Sequence, residues 1–216
     1  MTYSNRFCHA VMDSVVDTYI TKSPKGDNHH VIVLPGFCSG PPHTAFLRKT
    51  LSNAGYQVHD WGQGFNWGPG EIQEHALLAL VDRLYQNHGK ISLVGWSLGG
   101  LYARTIANIV PEKIRKVITM GSPHRTNADE HWLKPVFDLV SPKKLNDLSV
   151  AELERSRKDP PVPLVSIFSK RDEVVDWKDC LCDESSIAKN VESYGSHVGM
   201  GFNPGVVRTI LDELPV

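Results

Sequence analysis

The chain has 216 residues, of which 41% are hydrophobic and 22% are charged, and its formal net charge at pH 7 is -1. This length is enough for one well-buried domain over residues 1–216, and the balanced charge excludes a basic surface for nucleic acid. The N-terminus lacks a basic segment followed by an unbroken apolar run, and no later run reaches membrane-spanning length, so we expect a cytoplasmic protein without stable membrane insertion.

Short apolar, β-branched runs alternate with helical patterns from residue 31 onwards, which is typical of a parallel sheet covered by helices. The runs predict six strands, at residues 30–36, 57–61, 90–96, 114–121, 163–169 and 189–194. Apolar spacing of three and four predicts helices at residues 44–56, 71–89, 101–110 and 204–214. We therefore predict an α/β fold with about six mostly parallel strands and helices on both faces of the sheet.

The interval between the fourth and fifth predicted strands is too long for a single loop and helix. We predict a small, partly helical insertion there, at residues 124–160, within the single domain. Its functional interpretation is a lid over a site at the nearby sheet edge, and the alternative is a packed surface excursion.

The four cysteines are Cys8, Cys38, Cys180 and Cys182. A chain of this length does not depend on disulfides, so we expect reduced thiols. Cys180 and Cys182 lack the two-residue gap of a redox or zinc motif, and no second pair completes a ligand set, so we expect no metal site.

The sequence GWSLG at residues 95–99 follows the third predicted strand and precedes a helical pattern. A sharp turn from strand to helix strains the backbone at its apex, and Gly95 and Gly99 leave the room that such a turn needs. The turn would expose the hydroxyl of Ser97 beside the first N–H groups of the helix, of which that of Leu98 is best placed. The pattern predicts a nucleophile and half of an oxyanion hole; the alternative is a glycine-rich turn with an incidental serine.

A serine hydroxyl needs a base that accepts its proton and an acid that orients the base. In this architecture the acid and then the histidine follow the serine along the chain, each beyond a later strand. Asp172 follows the fifth predicted strand and His197 follows the sixth, at the edge that carries Ser97. The competing acids are Glu173, Asp176 and Asp179, and the competing bases are His43 and His124, which we interpret as pocket or supporting residues.

The loop after the first strand, residues 34–40, is expected to supply the second oxyanion donor. The backbone N–H of Phe37 or Cys38 could face the serine, and we predict Phe37. Apolar residues in or near loops at the same edge favour an acyl pocket; they are Phe65, Trp67, Trp96, Trp132, Phe137, Val174 and Met200.

Taken in order, the segments LPGF, GWSLGG, MGSP, SKRDEVVDW and GSHVGMGFNP resemble the landmarks of compact bacterial lipases and esterases of the α/β-hydrolase superfamily. The resemblance extends from residue 31 to the C-terminus. It implies Ser97 as nucleophile, Asp172 as acid, His197 as base, and the backbone N–H groups of Phe37 and Leu98 as the oxyanion hole.

These observations predict a serine hydrolase that cleaves small-molecule or lipid esters through an acyl-enzyme, with no metal or organic cofactor. The alternatives are an acyltransferase or thioesterase on the same residues and a non-catalytic ligand-binding protein of this fold. A nucleotide-binding protein is disfavoured because neither the dinucleotide fingerprint nor the Walker pattern is present. Nothing in the sequence indicates an oligomeric state.

Overall fold

The computed structural model describes residues 25–125 and 150–215, and these ranges contain one six-stranded sheet. Its strands are β1 (His30–Leu34), β2 (Gln57–Asp60), β3 (Ile91–Trp96), β4 (Ile114–Met120), β5 (Leu164–Phe168) and β6 (Ala188–Glu192). They lie in the order β2-β1-β3-β4-β5-β6, and every neighbouring pair is parallel. The predicted α/β class is confirmed, and the sheet is entirely rather than mostly parallel in the described ranges.

Helices follow most strands. They are α1 (Pro41–Asn53), α2 (Glu71–His88), α3 (Leu98–Ile109), α4 (Val150–Arg157) and α5 (Pro204–Glu213). Two bounds differ from the sequence prediction in an instructive way. α1 begins three residues early, because prolines in the first turn of a helix already have helical φ and lack an N–H that would be unpaired there. α3 begins at Leu98, because the turn at Ser97 leads into the helix without a loop.

Both faces of the sheet are covered, as the continuous apolar strands predict. Val31 and Val33 of β1 pack on one face with apolar residues of α1 and α5. Ile32 and Leu34 alternate to the other face and pack with residues of α2 and α3. The sheet therefore separates two hydrophobic clusters, and its strand ends are held rigidly from both sides.

The predicted insertion at 124–160 falls largely on residues 126–149, which lie outside the described ranges. Its described helix, α4, is joined to α3 by side-chain hydrogen bonds. Arg104, which is fully buried, donates to the carbonyl oxygens of Ser156 and Arg157 and pairs with Asp159 at 2.5 Å. Asn108 donates to the carbonyl oxygens of Arg155 and Lys158, at the C-terminal end of α4. These bonds supply donors to carbonyl groups that a helix end cannot pair internally.

Cys38, Cys180 and Cys182 are free thiols, as expected, and Cys8 lies outside the described ranges. Cys180 and Cys182 are buried, and burial raises the pKa of the Cys182 thiol to about 11. Burial also raises the pKa of Cys180, so both thiols favour the protonated form at neutral pH.

Among the helices of residues 25–125 and 150–215, none combines the length and apolar character needed to cross a membrane.

Candidate active site

Ser97 lies at a strained turn between β3 and α3. Its φ is 53° and its ψ is -121°, values that side-chain-bearing residues rarely adopt. A Cβ atom on Gly95 would lie 2.4 Å from the carbonyl oxygen of Gly99 and 2.5 Å from the Cα of Gly100, so the strand and helix approach too closely for any other residue. The glycines of the GWSLG sequence are thus required by contact between strand and helix, and they hold Ser97 at the C-terminal edge of the sheet.

The structure brings together the three residues that the sequence places after β3, β5 and β6. The Nε2 of His197 is 3.0 Å from the Oγ of Ser97, and its Nδ1 is 2.6 Å from the Oδ2 of Asp172. Because an ionised carboxylate only accepts hydrogen bonds, the Nδ1 of His197 carries the proton and its Nε2 accepts from the Ser97 hydroxyl. This is the tautomer that a general base for Ser97 needs.

The side chain of Asp172 is itself held in place. The side chain of Asp172 is 1% exposed, and its Oδ1 accepts from the backbone N–H groups of Val174 and Val175 at 2.9 Å each. The second oxygen is left for His197. Two backbone donors on one carboxylate oxygen fix the orientation of the carboxylate.

The loop after β1 runs beside Ser97. A Cβ atom on Gly36 would lie 3.3 Å from the Cβ of Ser97, so the backbone at Gly36 passes close to the serine. β1 and β3 are neighbours in the sheet while α1 and α3 cover opposite faces, which makes this the point where open α/β sheets bind ligands. The Cys38 N–H, one of the two donors considered for an oxyanion hole, is engaged with the carbonyl oxygen of Asn66 at 2.8 Å.

Asn66 is a supporting residue that the sequence analysis missed. It is fully buried, and its side-chain amide donates to the carbonyl oxygen of Pro35 at 2.8 Å. Its backbone forms a two-way bridge with residues 38 and 39. It therefore joins the loop after β2 to the loop after β1. A single asparagine between two aromatic residues carries no sequence signal for such a role.

Gly121, at the end of β4, lies directly under the hydrogen bond between Asp172 and His197. Its φ is +54°, and an added Cβ would lie 3.1 Å from the Oδ2 of Asp172, 3.1 Å from the Nδ1 of His197 and 2.9 Å from the Sδ of Met200. The sequence analysis singled out the MGSP segment that contains Gly121, and only the structure shows which contact it serves.

The competing residues have other partners. His124 is buried and bonds the carbonyl oxygen of Ser122, and its burial, together with the nearby charge of Arg104, lowers its pKa to about 4. The ring of His43 accepts from the backbone N–H of Gly40 at the start of α1. Asp176 accepts from the N–H of Lys178, and the carbonyl oxygen of Asp179 accepts from the N–H of Arg125. None of these four contacts includes Ser97 or His197, whereas the remaining competitor, Glu173, accepts from the backbone N–H of His197 and not from its ring.

The apolar residues predicted for a pocket divide into three groups. Phe65 and Trp67 are about half exposed and their rings stack with centroids 5.6 Å apart. Trp96 and Met200 are buried in the cluster that includes α1 and α5, while Val174 is half-buried beside Phe168. Trp132 and Phe137 lie outside the described ranges.

Comparison with known proteins gives partial matches in sequence. A family model described as the PGAP1-like alpha/beta domain matches residues 73–177, just under half of the chain. The chain is 29% identical over 112 residues to a pimeloyl-[acyl-carrier protein] methyl ester esterase of Aliivibrio salmonicida, covering 50% of this chain and 41% of that protein. It is 35% identical over 63 residues to a triacylglycerol lipase of Pseudarthrobacter phenanthrenivorans, covering 28% and 20%. The matched segments thus span less than half the length of either relative.

Among solved structures, the chain is similar to the mature lipase BlEst2 of Bacillus licheniformis. The TM-score is 0.58 at 15% sequence identity, over 87% of this chain and 89% of the other. Identity at this level shows a shared fold over most of both chains.

Proposed function

We propose that the chain, which shares its fold with solved α/β hydrolases, is a serine hydrolase that cleaves carboxylic esters. The observation that carries the proposal is the hydrogen-bonded series from Asp172 through His197 to Ser97, set on the turn between β3 and α3. The named relatives, an esterase and lipases, act in the same general class of reaction.

In the proposed mechanism Ser97 attacks the acyl carbonyl carbon while the Nε2 of His197 accepts its proton. Asp172 stabilises the imidazolium that forms. The backbone N–H groups of Phe37 and Leu98 stabilise the negative charge on the carbonyl oxygen. His197 then gives its proton to the leaving alkoxide, which departs as the alcohol and leaves Ser97 acylated. Water attacks the acyl-enzyme with His197 as base, which releases the acid and restores the hydroxyl.

Two features support this assignment of the oxyanion donors. The N–H of Leu98 is the first of α3, where a helix has no internal partner for it and where the helix dipole favours negative charge. In the 34–40 loop, the Cys38 N–H is engaged with the carbonyl oxygen of Asn66, which disfavours Cys38 as a donor, and we propose Phe37.

The substrate class that we propose is an ester with an apolar acyl group. Phe65 and Trp67 flank the buried Asn66, which ties their loop to the segment beside Ser97. Their exposed, stacked rings thus lie next to the proposed oxyanion loop, where they offer apolar contact area.

The test is hydrolysis of p-nitrophenyl esters from acetyl to palmitoyl, together with labelling by a fluorophosphonate probe. We expect wild-type turnover and labelling, both abolished by Ser97→Ala. Asp172→Asn should lower kcat by about 10⁴-fold, because the amide favours the wrong tautomer of His197. The partition of acyl product between water and an added alcohol separates a hydrolase from an acyltransferase on the same residues.

Asp176→Asn is the matched control, since it neutralises another aspartate of the same loop. We expect its kcat to stay within about twofold of wild type, because its carboxylate bonds only the N–H of Lys178 among the described residues. Loss of activity in Asp176→Asn but not in Asp172→Asn would reject our acid, and labelling that persists in Ser97→Ala would reject the nucleophile.

A further inference from the structure

All four polar atoms of His197 are hydrogen-bonded, and its partners outside its own loop come from two pairs of adjacent residues. Ser97 bonds Nε2, and its neighbour Trp96 donates from its indole Nε1 to the carbonyl oxygen of His197 at 3.1 Å. Asp172 bonds Nδ1, and its neighbour Glu173 accepts from the backbone N–H of His197 at 3.0 Å through Oε2.

From this pattern we infer that Trp96 and Glu173 are positioning residues for the proposed reaction, which hold the main chain of His197 while Ser97 and Asp172 bond its ring. This inference rests on the proposed function. Neither residue has a contact with the reacting serine oxygen among the described hydrogen bonds, so their effect on the reaction passes through His197.

These two hydrogen bonds matter because His197 lies in the loop between β6 and α5, outside the sheet. The loop has its own short-range bonds, for example from the N–H of Met200 to the carbonyl oxygen of His197 at 3.2 Å. Those bonds shape the loop but do not fix its distance from β3 or from the loop after β5. The side chain of Ser169, directly after β5, bonds the N–H and the carbonyl oxygen of Gly195 and so ties the start of the loop to β5. Trp96 and Glu173 tie the backbone of His197 itself, one from each of the elements that carry the other two members of the series.

The two residues differ in environment, which makes two independent variants available. Trp96 is 6% exposed and packs in the core, so the indole N–H would lack a partner without His197. Glu173 is exposed, so its removal leaves the core unchanged. Trp96→Phe removes the donor and keeps an aromatic ring, whereas Glu173→Ala removes the acceptor.

For both variants we expect kcat on the preferred p-nitrophenyl ester to fall by about 10- to 100-fold, the effect of a small misplacement of a catalytic group. KM should stay within about twofold, because neither side chain is assigned to binding substrate. The rate of inactivation by the fluorophosphonate should fall by the same factor as kcat. Glu173→Gln should recover most of the loss, because its amide oxygen still accepts from the His197 N–H.

Asp176→Ala is the matched control for Glu173→Ala, since it removes an exposed carboxylate of the same loop that also accepts a backbone N–H. It should keep both kcat and the inactivation rate within about twofold of wild type. Equal losses in Asp176→Ala and Glu173→Ala would mean that general disturbance of the loop, rather than the bond to His197, lowers the rate.

The decisive measurement is the same comparison in a His197→Ala background, followed by slow fluorophosphonate inactivation. If Trp96 and Glu173 act through His197, Trp96→Phe and Glu173→Ala should leave this residual rate unchanged within about twofold. A further loss by the same factor as in the wild-type background would overturn the inference. So would a raised KM with unchanged kcat, which would make Trp96 a substrate-binding residue.

The wild-type enzyme separates this inference from the proposed function. If the wild type neither hydrolyses esters nor reacts with the probe at Ser97, the proposed function fails. If it does react and both single variants react equally fast, only the positioning role fails.

Discussion

At the scale of single residues, two hydrogen-bonded sets of aspartate, histidine and serine lie at opposite ends of β3. Besides the set at Ser97, the Nδ1 of His29 is 2.5 Å from Asp27 and its Nε2 is 2.9 Å from the Oγ of Ser92. Ser92 is fully buried inside the strand, so no acyl group can reach it. Ser97 instead lies on an open turn beside the first N–H of a helix. Access and an oxyanion donor, rather than the hydrogen bonds alone, single out the candidate nucleophile.

Gly121→Ala tests the contact under the hydrogen bond between Asp172 and His197. The added methyl group would lie 3.1 Å from both bonded atoms and would occupy a residue with positive φ. We expect the free energy of unfolding to fall by about 1 kcal/mol from the backbone strain. We also expect kcat to fall by about tenfold or more, because the acid and base are pushed apart. Urea unfolding and ester hydrolysis measure the two effects.

Gly89→Ala is the control that separates the loss of stability from the loss of activity. Gly89 also has positive φ, at 78°, but an added methyl group would meet no atom within 4 Å. It should lose similar stability and keep its activity. If Gly121→Ala lost only stability, the contact would have no bearing on the candidate site.

At the scale of elements, the two ends of helix α3 contact different parts of the molecule. Its first turn follows Ser97, and its last turns carry Arg104 and Asn108, which bond the end of α4. The Arg104 guanidinium is fully buried, and burial lowers its pKa while the hydrogen bond to Asp159 opposes that shift. A charge in this position persists because it is paired with Asp159 and because its Nε and Nη2 donate to buried acceptors, although its Nη1 has no hydrogen-bond partner among the described residues.

Arg104→Met should therefore lower the free energy of unfolding by about 3 to 5 kcal/mol, since it leaves the charge of Asp159 without its partner in a partly buried site. The measurement is urea unfolding followed by circular dichroism. Arg208→Met is the control, because Arg208 forms an exposed ion pair with Asp212 within one helix and should lose less than about 0.5 kcal/mol. Equal effects of the two changes would argue against the anchoring role of Arg104.

At the scale of the whole molecule, histidines couple folding to pH. His29 and His30 lie at the N-terminal end of β1, and the ring of His59 stacks on that of His30. Burial lowers the pKa of all three; at His29 the hydrogen bond to Asp27 opposes this shift, while neighbouring cations and histidines add to it at each. His124 lies near the opposite edge of the sheet, where burial and the nearby charge of Arg104 lower its pKa to about 4. All four rings therefore favour the neutral form in the folded chain.

This predicts that stability falls as the pH is lowered from 8 to 5. The unfolded chain takes up protons near pH 6.5 while the folded chain resists them, so the unfolded state binds more protons and acid favours unfolding. His124 alone should contribute about 2 kcal/mol to this fall. Urea midpoints measured across this range should decrease for the wild type and decrease less for His124→Gln. A flat profile for the wild type would contradict the prediction.

Much of this architecture was open to prediction because its causes are local. Alternating apolar runs and helical spacing are properties of neighbouring residues, and they predicted six strands at nearly the observed bounds. The turn at Ser97 depends on glycines within two residues of it, and the loops after β5 and β6 follow directly from the strand ends. For this reason the sequence also indicated Ser97, Asp172 and His197 as one set, which the structure brings within hydrogen-bond distance.

The sequence by itself determined the class of the fold and the residues at the C-terminal edge of the sheet, because strand polarity and chain order decide which loops meet there. Only the tertiary structure decided how those residues are held: Gly121 lies under Asp172 and His197, Asn66 lies between two loops, and Trp96 and Glu173 bond the main chain of His197. These contacts join residues that are distant along the chain, and their geometry depends on sheet register and packing. No local pattern encodes which side chain reaches which backbone atom across such a distance.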